Sequence, residues 1–159
     1  MGWGNIANSN ITPRDASAAM AMVTVRSEPK VHTMAFAGNF QKLALTKSDS
    51  LRGVVDKVSR LNFGSTNCAL PMQYATKNDL DVDTFVVYTD NETYGGSEQP
   101  FQALRKYREK SGRDAKLIVV GMTATNFTIA DPRDSGMLDV VGFDTSTPNI
   151  LSAFSRGDF

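Results

Sequence analysis

The sequence has 159 residues, enough for one compact domain, and we expect residues 1–159 to form a single domain. Hydrophobic residues make up 41% of the chain and charged residues 21%, which argues against disordered and fibrous classes. Lys and Arg number 17, as do Asp and Glu, so the net charge provides no overall attraction to nucleic acid or to an anionic membrane.

The first half of the chain predicts two helices and a hairpin. Thr12-Pro13 is typical of a helix start, and the apolar residues that follow recur at helical spacing. The turn dipeptide Gly38-Asn39 separates two β-rich runs and predicts an antiparallel hairpin. The predicted bounds are 13–25 for the first helix, 31–36 and 40–45 for the two strands, and 51–61 for the second helix.

The second half predicts helices that alternate with strands. Three runs, 84–88, 117–120 and 138–141, are apolar enough to be buried on both faces, as parallel strands are. A short helix over 69–77 precedes them, and Pro100 and Pro148 begin two more helices. The whole order predicts an α/β fold with a mostly parallel sheet, helices on both faces and one antiparallel edge strand.

Two residues are candidate ligands of a divalent cation. Asp90 directly follows the first apolar strand, and ligands of such sheets bind at the carboxyl ends of the strands. Thr66 lies in a loop between two helices, where its hydroxyl would suit a hard cation such as magnesium. The alternatives are that Asp90 only caps a turn and that Thr66 is a helix N-cap.

Several sequence motifs together resemble the carboxyl-terminal domain of the Ro autoantigen family, the ribonucleoproteins that contain a TROVE module. The resemblance covers nearly the whole chain in the same order. Its most specific parts are the Thr-Asp-Asn-Glu-Thr and Phe-Thr-Ile-Ala-Asp-Pro runs. The motifs are Gly64-Ser65-Thr66, Thr89–Thr93, Leu117–Met122, Phe127–Pro132, Gly136–Asp139 and Gly142–Asp144.

The resemblance implies a von Willebrand factor A-like fold with a metal-ion-dependent adhesion site. In the family that site combines an Asp-x-Ser-x-Ser loop after the first strand with a loop threonine and an aspartate after the fourth strand. Thr66 and Asp90 match the last two, and Met1 matches the methionine that follows the Asp-x-Ser-x-Ser loop. We therefore expect the first central strand and three metal ligands to be absent, and magnesium binding to be weak or absent.

The resemblance also implies a function for the parent protein. Ro-type ribonucleoproteins are cytoplasmic and nuclear, and they bind small Y RNAs and misfolded non-coding RNAs chiefly through a separate ring of helical repeats. This chain contains none of that ring, so we expect little direct RNA binding by it. We expect a non-catalytic scaffold or protein-binding domain, whose cation could accept a carboxylate from a protein partner.

Two rival functions remain open at this point. One is a magnesium-dependent enzyme that uses Asp90 for phosphoryl transfer, although the sequence has no glycine-rich phosphate loop and no evident nucleophile with a base. The other is an adhesion module without any connection to RNA.

Other residues favour structural readings. Asp15 and Ser17 fall within the first helix, and Pro148 replaces the second serine that a metal loop starting at Asp144 would need. The basic residues between 105 and 113 are interrupted by acids and predict a solvated face. His32 is the only histidine, so it cannot belong to a multi-histidine zinc site.

Cysteine usage and hydropathy predict the compartment. Cys68 is the only cysteine, so no intrachain disulfide can form, and we expect a packed thiol in a reducing, cytoplasmic environment. No apolar run approaches the roughly 18 residues of a membrane span, and the first ten residues do not resemble a secretory signal. We therefore expect no membrane partner.

Overall fold

The structure is a computed structural model, and it describes residues 5–6, 9–36, 40–61, 66–89, 96–122, 129–142 and 144–159. The chain divides into two compact units, Met1–Ser65 and Thr66–Phe159, and each is described by itself. The described residues of the first unit form α1 (Pro13–Ser27), β1 (Met34–Phe36), β2 (Phe40–Lys42) and α2 (Leu51–Ser59). Those of the second form α3 (Leu70–Lys77), β3 (Thr84–Thr89), α4 (Pro100–Ser111), β4 (Lys116–Gly121), β5 (Met137–Val141) and α5 (Thr147–Arg156).

In the first unit, α1 and α2 pack around a small apolar core. The Thr12 hydroxyl accepts a hydrogen bond from the Asp15 N–H at 3.1 Å and caps α1, as the sequence predicts. Ala18 and Met22 of α1 pack against Val54 of α2, whose side chain is completely buried. Burial of these apolar side chains between the helices stabilises this unit.

The hairpin is confirmed, although its strands are shorter than predicted. β1 pairs with β2 in antiparallel register, with Ala35 opposite Gln41. The Leu43 N–H donates to the Thr33 carbonyl at 2.8 Å, which continues the pairing by one bond beyond the strands. α1 in turn extends two residues past its predicted end, to Ser27. Local sequence patterns locate element ends less precisely than element types.

The second unit is built on a three-stranded parallel sheet with the order β3-β4-β5. β4 lies in the centre, and the side chains from Leu117 to Val120 are at most 1% exposed. These residues are almost purely apolar because a central strand of a parallel sheet is covered on both faces. The predicted parallel strands are therefore confirmed.

Tyr107 connects α4 to the chain that leads into β3. Its hydroxyl accepts a hydrogen bond from the Val82 N–H at 2.7 Å and donates to the Leu80 carbonyl at 2.8 Å. Its ring packs edge-on against Phe85 of β3, with centroids 5.0 Å apart. The phenol thereby satisfies two backbone groups where water is excluded, because Tyr107 is only 1% exposed.

An ion pair connects α4 to the amino ends of β4 and β5. Arg108 donates through Nε to the Ala115 carbonyl at 2.7 Å and through Nη1 to Asp134 Oδ2 at 2.6 Å. Asp134 Oδ1 accepts the Gly136 N–H at 2.8 Å. Partial burial raises the pKa of Asp134, but the bonds from Arg108 and Gly136 outweigh it, so the pKa lies below its ordinary value.

Replacement of Asp134 by Asn should remove the charge opposite Arg108 while keeping an oxygen for Gly136. We expect the free energy of unfolding to fall by about 1–2 kcal/mol at neutral pH. Because the pKa of Asp134 is lower in the folded protein than in the unfolded chain, the charged carboxylate stabilises the fold at pH values above the pKa of the unfolded chain. This stabilisation is lost as the pH falls through the pKa of the folded protein. The difference between wild type and Asp134→Asn should therefore shrink between about pH 5 and about pH 2, measured by urea unfolding.

Asp158→Asn is the matched control, because Asp158 forms an exposed ion pair with Arg156 at 2.8 Å. Exposed pairs contribute little, so the unfolding midpoint of this variant should stay close to that of the wild type. A deficit in Asp134→Asn that stays constant over the whole pH range would contradict the assigned role of the carboxylate.

Candidate functional site

The carboxyl edge of the parallel sheet is where the sequence places the candidate site. Thr89, Gly121 and Val141 end the three strands in one register. The Met122 N–H donates to the Thr89 carbonyl at 2.9 Å, so the edge is hydrogen-bonded to its last residue. Asp90, the predicted metal ligand, comes directly after this edge in the sequence and lies outside the described residues.

Thr66 lies in the segment that leads into α3, and its side chain is half-buried. Its hydroxyl makes no hydrogen bond to any residue that the structure describes. The residue at the N-cap of α3 is Ala69, and Asn67 Oδ1 accepts the Ala69 N–H at 3.0 Å. The Asn67 bond closes a turn before the helix, and α3 has no side-chain cap, so Thr66 is not its N-cap residue.

Asn67 also contacts the chain that follows Asp90. Gly96 has a φ of +86°, and a Cβ added at this residue would overlap the side-chain amide of Asn67. This contact places the residue after Thr66 beside a residue that follows Asp90 by six positions. The structure thus brings the Thr66 segment beside Gly96, the first described residue after Asp90 in the chain.

Glu98 strengthens the same connection. Its Oε2 accepts a hydrogen bond from Gln73 Nε2 of α3 at 2.8 Å, and its Oε1 pairs with Lys106 Nζ of α4 at 2.6 Å. These two bonds, from Gln73 first and Lys106 second, hold the pKa of the Glu98 carboxyl below its ordinary value. Glu98 therefore stays charged at neutral pH and ties the 96–98 segment to both helices.

Sequence reasoning missed Asn67 and Glu98. The available signals were the Gly95-Gly96 pair and the amide directly after Thr66. Neither pattern shows that the two segments meet, because they are separated by about thirty positions in the chain. Asn67 and Glu98 hold the segment after Thr66 and the 96–98 segment in place, and they are not candidate ligands themselves.

The two segments that resemble a metal loop have structural roles. Ser17 donates its hydroxyl proton to the Pro13 carbonyl at 2.7 Å within α1. Asp144 Oδ1 accepts from the Ser146 hydroxyl at 2.6 Å and from the Ser146 N–H at 2.7 Å. These bonds, with further ones to Thr147, lower the pKa of Asp144 and organise the turn that begins α5. Both observations agree with the structural reading.

The remaining singular residues also follow their structural readings. Cys68 is completely buried, as expected for a packed thiol, and His32 is exposed. Four of the five basic residues of α4 and its exit, all except Arg105, form ion pairs with described residues on a largely solvated face. These pairs are Lys106 with Glu98, Arg108 with Asp134, Lys110 with Asp79, and Arg113 with Asp81 and Asp83.

A divalent cation needs more oxygen ligands than the described residues supply here. Magnesium prefers six oxygens, and of the two predicted ligands only Thr66 is among the described residues. Within the described ranges, no three His, Cys, Asp or Glu side chains group as a metal site. The described residues therefore do not fit a complete magnesium site, and the pair of Thr66 and Asp90 stays a prediction.

Comparison with known proteins identifies the family. The protein-family sequence model described as the Ro60 vWA domain matches residues 1–155 of this chain. The chain belongs to the Ro60 vWA domain family. RNA-binding protein RO60 of Deinococcus radiodurans is 50% identical over 159 residues, which are 99% of this chain and 30% of that protein. RNA-binding protein RO60 of Caenorhabditis elegans is 43% identical over 153 residues, which are 96% of this chain and 24% of that protein.

A solved structure confirms the fold of this Ro60 vWA domain. The crystal structure of the Deinococcus radiodurans RO (RSR) protein matches with a TM-score of 0.92 at 49% identity. The match covers 100% of this chain and 32% of that one. The von Willebrand factor A-like fold and the Ro resemblance are thus confirmed. The chain spans less than a third of the length of these relatives.

The contact between Gly96 and Asn67 predicts an unequal response of two glycines to alanine substitution. Gly112 also has a positive φ, +69°, but an added Cβ would meet nothing within 4 Å. Gly112→Ala should cost about 1 kcal/mol of unfolding free energy, the conformational cost alone. Gly96→Ala should cost about 1–3 kcal/mol more, because the new methyl group displaces the Asn67 amide.

The test is completed by chemical unfolding of four proteins, which are the wild type, Gly96→Ala, Asn67→Ala and the double variant. In the Asn67→Ala background, the additional cost of Gly96→Ala should disappear, so that its total cost in unfolding free energy equals that of Gly112→Ala. Equal costs for the two glycine variants in the wild-type background would show that Gly96 does not contact Asn67.

Proposed function

We propose that this chain is the non-catalytic vWA domain of a Ro-type ribonucleoprotein. The observation that carries the proposal is the match of 99% of the chain, at 50% identity, to a protein named RNA-binding protein RO60. On this proposal the parent protein binds small non-coding and misfolded RNAs in the cytoplasm. The domain acts there as a scaffold or protein-binding module, and most of the RNA affinity comes from other parts of the parent.

The proposal includes a partial divalent-metal adhesion site at the carboxyl edge of the sheet. Thr66 and Asp90 are its ligands, and magnesium is the cation that two oxygen donors and retained waters favour. A carboxylate of a protein partner would complete the coordination of the bound cation. The half-buried Thr66 hydroxyl, which makes no bond within the described part of the chain, and the Asn67–Gly96 contact support this arrangement.

The absence of catalysis is also part of the proposal. The relatives are named for RNA binding. The ion pairs at the amino edge of the sheet connect structural elements and lie at the end opposite to the one where ligands of such sheets bind.

None of the described helices combines the length and apolarity that a membrane span requires.

A chimera tests the proposed membership of a Ro-type ribonucleoprotein. This chain replaces the matching segment of the Deinococcus radiodurans RO60 protein, and binding of a structured small RNA is measured by electrophoretic mobility shift. We expect the chimera to fold and to bind within about threefold of the parent, since the segments share half of their residues. This chain alone should bind the same RNA far more weakly. A folded chimera that has lost RNA binding would refute the proposal.

Magnesium titration tests the adhesion site. Calorimetry on this chain should give weak or undetectable heats of binding. Adding an upstream strand followed by an Asp-x-Ser-x-Ser loop to this chain should produce saturable binding. In this extended chain Asp90→Asn and Thr66→Ala should abolish binding, and Asp144→Asn is the control that should retain it. Magnesium-dependent phosphatase turnover that disappears in Asp90→Ala would favour the enzymatic alternative instead.

A further inference from the structure

The balanced total charge conceals an uneven distribution between the two units. Residues 1–65 contain eight Lys and Arg but only four Asp and Glu. Residues 66–159 contain nine Lys and Arg and thirteen Asp and Glu. The first unit is therefore cationic and the second anionic. Such an asymmetry points to a polyanionic partner for the cationic half.

The cations of the two units also differ in how they are neutralised. In the second unit, six of the nine form ion pairs, among them Lys106 with Glu98 and Arg133 with Asp131. In the first unit, five exposed cations have no ion pair with any residue that the structure describes. These are Lys30, Lys42, Lys47, Arg52 and Arg60. Their charge is therefore available to a partner.

Four basic residues of the first unit come together around the loop that precedes α2, and we call them the cationic loop surface. They are Arg26, Lys47, Arg52 and Lys57. Arg26 Nη2 donates to the Asp49 carbonyl at 3.0 Å, which brings the end of α1 to this loop. Lys57 Nζ donates to the Ala44 carbonyl at 3.1 Å and to Asp49 Oδ1 at 3.0 Å.

Lys47 and Arg52 flank the same loop with no bond of their own to a described residue. Lys47 is exposed within a turn that the Asp49 N–H closes on the Thr46 carbonyl at 3.2 Å. Arg52 lies in the first turn of α2, which contains no acidic residue. The positive end of the helix dipole therefore adds to the charge of Arg52.

The acids near the surface cancel only part of its charge, because Asp49 pairs with Lys57 and with none of the other three cations. Asp49 is already engaged by the Thr46 N–H at 2.7 Å and by Lys57, and these bonds lower its pKa. Glu28 follows α1 and Asp56 lies one turn after Arg52, but neither forms an ion pair with a described residue. The unit keeps an excess of four positive charges after all its acids are counted.

We propose that the cationic loop surface binds the phosphodiester backbone of RNA. This inference rests on the proposed function, because the relatives' names identify RNA as the polyanion. Arg and Lys side chains neutralise phosphates and donate hydrogen bonds to their oxygens. With about three cations that lack an ion pair among the described residues, the contact is independent of sequence and weak by itself. It adds affinity when the rest of the parent holds an RNA nearby.

Fluorescence anisotropy with a fluorescein-labelled 20-nucleotide oligouridylate tests the surface on this chain over a range of salt concentrations. Log affinity should fall with log salt with a slope of roughly −2 to −3. The variant Lys47→Gln/Arg52→Gln removes two charges without removing a bond within the described structure. The plot of log affinity against log salt should be less steep for this variant by about 1.4, and the affinity at low salt should fall roughly tenfold.

Lys77→Gln/Arg105→Gln is the matched control, because both residues are exposed and unpaired among the described residues of the second unit. It should bind within about twofold of wild type. Equal binding by both double variants would overturn the inference. An oligoglutamate of 20 residues that binds as tightly as the oligouridylate would also overturn it, in favour of an acidic protein partner.

The same substitutions in the Deinococcus chimera separate the two proposals. Loss of RNA binding by the unsubstituted chimera would refute the proposed function whatever the surface does. A chimera that binds RNA, with a salt slope unaffected by Lys47→Gln/Arg52→Gln, would leave the proposed function standing and refute the cationic loop surface.

Discussion

The burial of β4 between β3 and β5 is the interaction on which the second unit depends. Four successive residues from Leu117 to Val120 are covered on both faces, so each contributes apolar burial. Hydrogen bonding to both neighbours also aligns the three strand ends at Thr89, Gly121 and Val141. The candidate site and the amino-edge ion pair both derive their positions from this register.

The two ends of the sheet have different chemistry. At the amino end, Arg108 and Asp134 satisfy one another and nearby backbone groups, so little capacity remains for a ligand. The carboxyl end is the end at which sheets of this kind bind ligands, and there the carbonyl of Thr89, the last residue of β3, accepts the Met122 N–H. Asn67 and Glu98 form bonds that hold the segment after Thr66 and the 96–98 segment in place.

The elements that sequence predicts well are those with local causes. Thr12 and Pro13 locate the start of α1 because capping involves neighbouring residues, and the apolar content of 117–120 identifies a central strand. The shorter β1 and the longer α1 depend on individual backbone bonds that residue patterns do not specify. The predicted site follows the same division, since the strand pattern predicts Asp90, the loop between two helices predicts Thr66, and the resemblance joins the two. The Asn67–Gly96 contact joins distant segments and has no local pattern.

The contact between Asn67 and Gly96 has a consequence for how sequences of this family can diverge. A side chain at position 96 requires both a strained backbone and the space that the Asn67 amide occupies. Positions 67 and 96 are therefore expected to change together or not at all among related domains. A related domain with a larger residue at position 96 is therefore expected to have a residue smaller than asparagine at position 67.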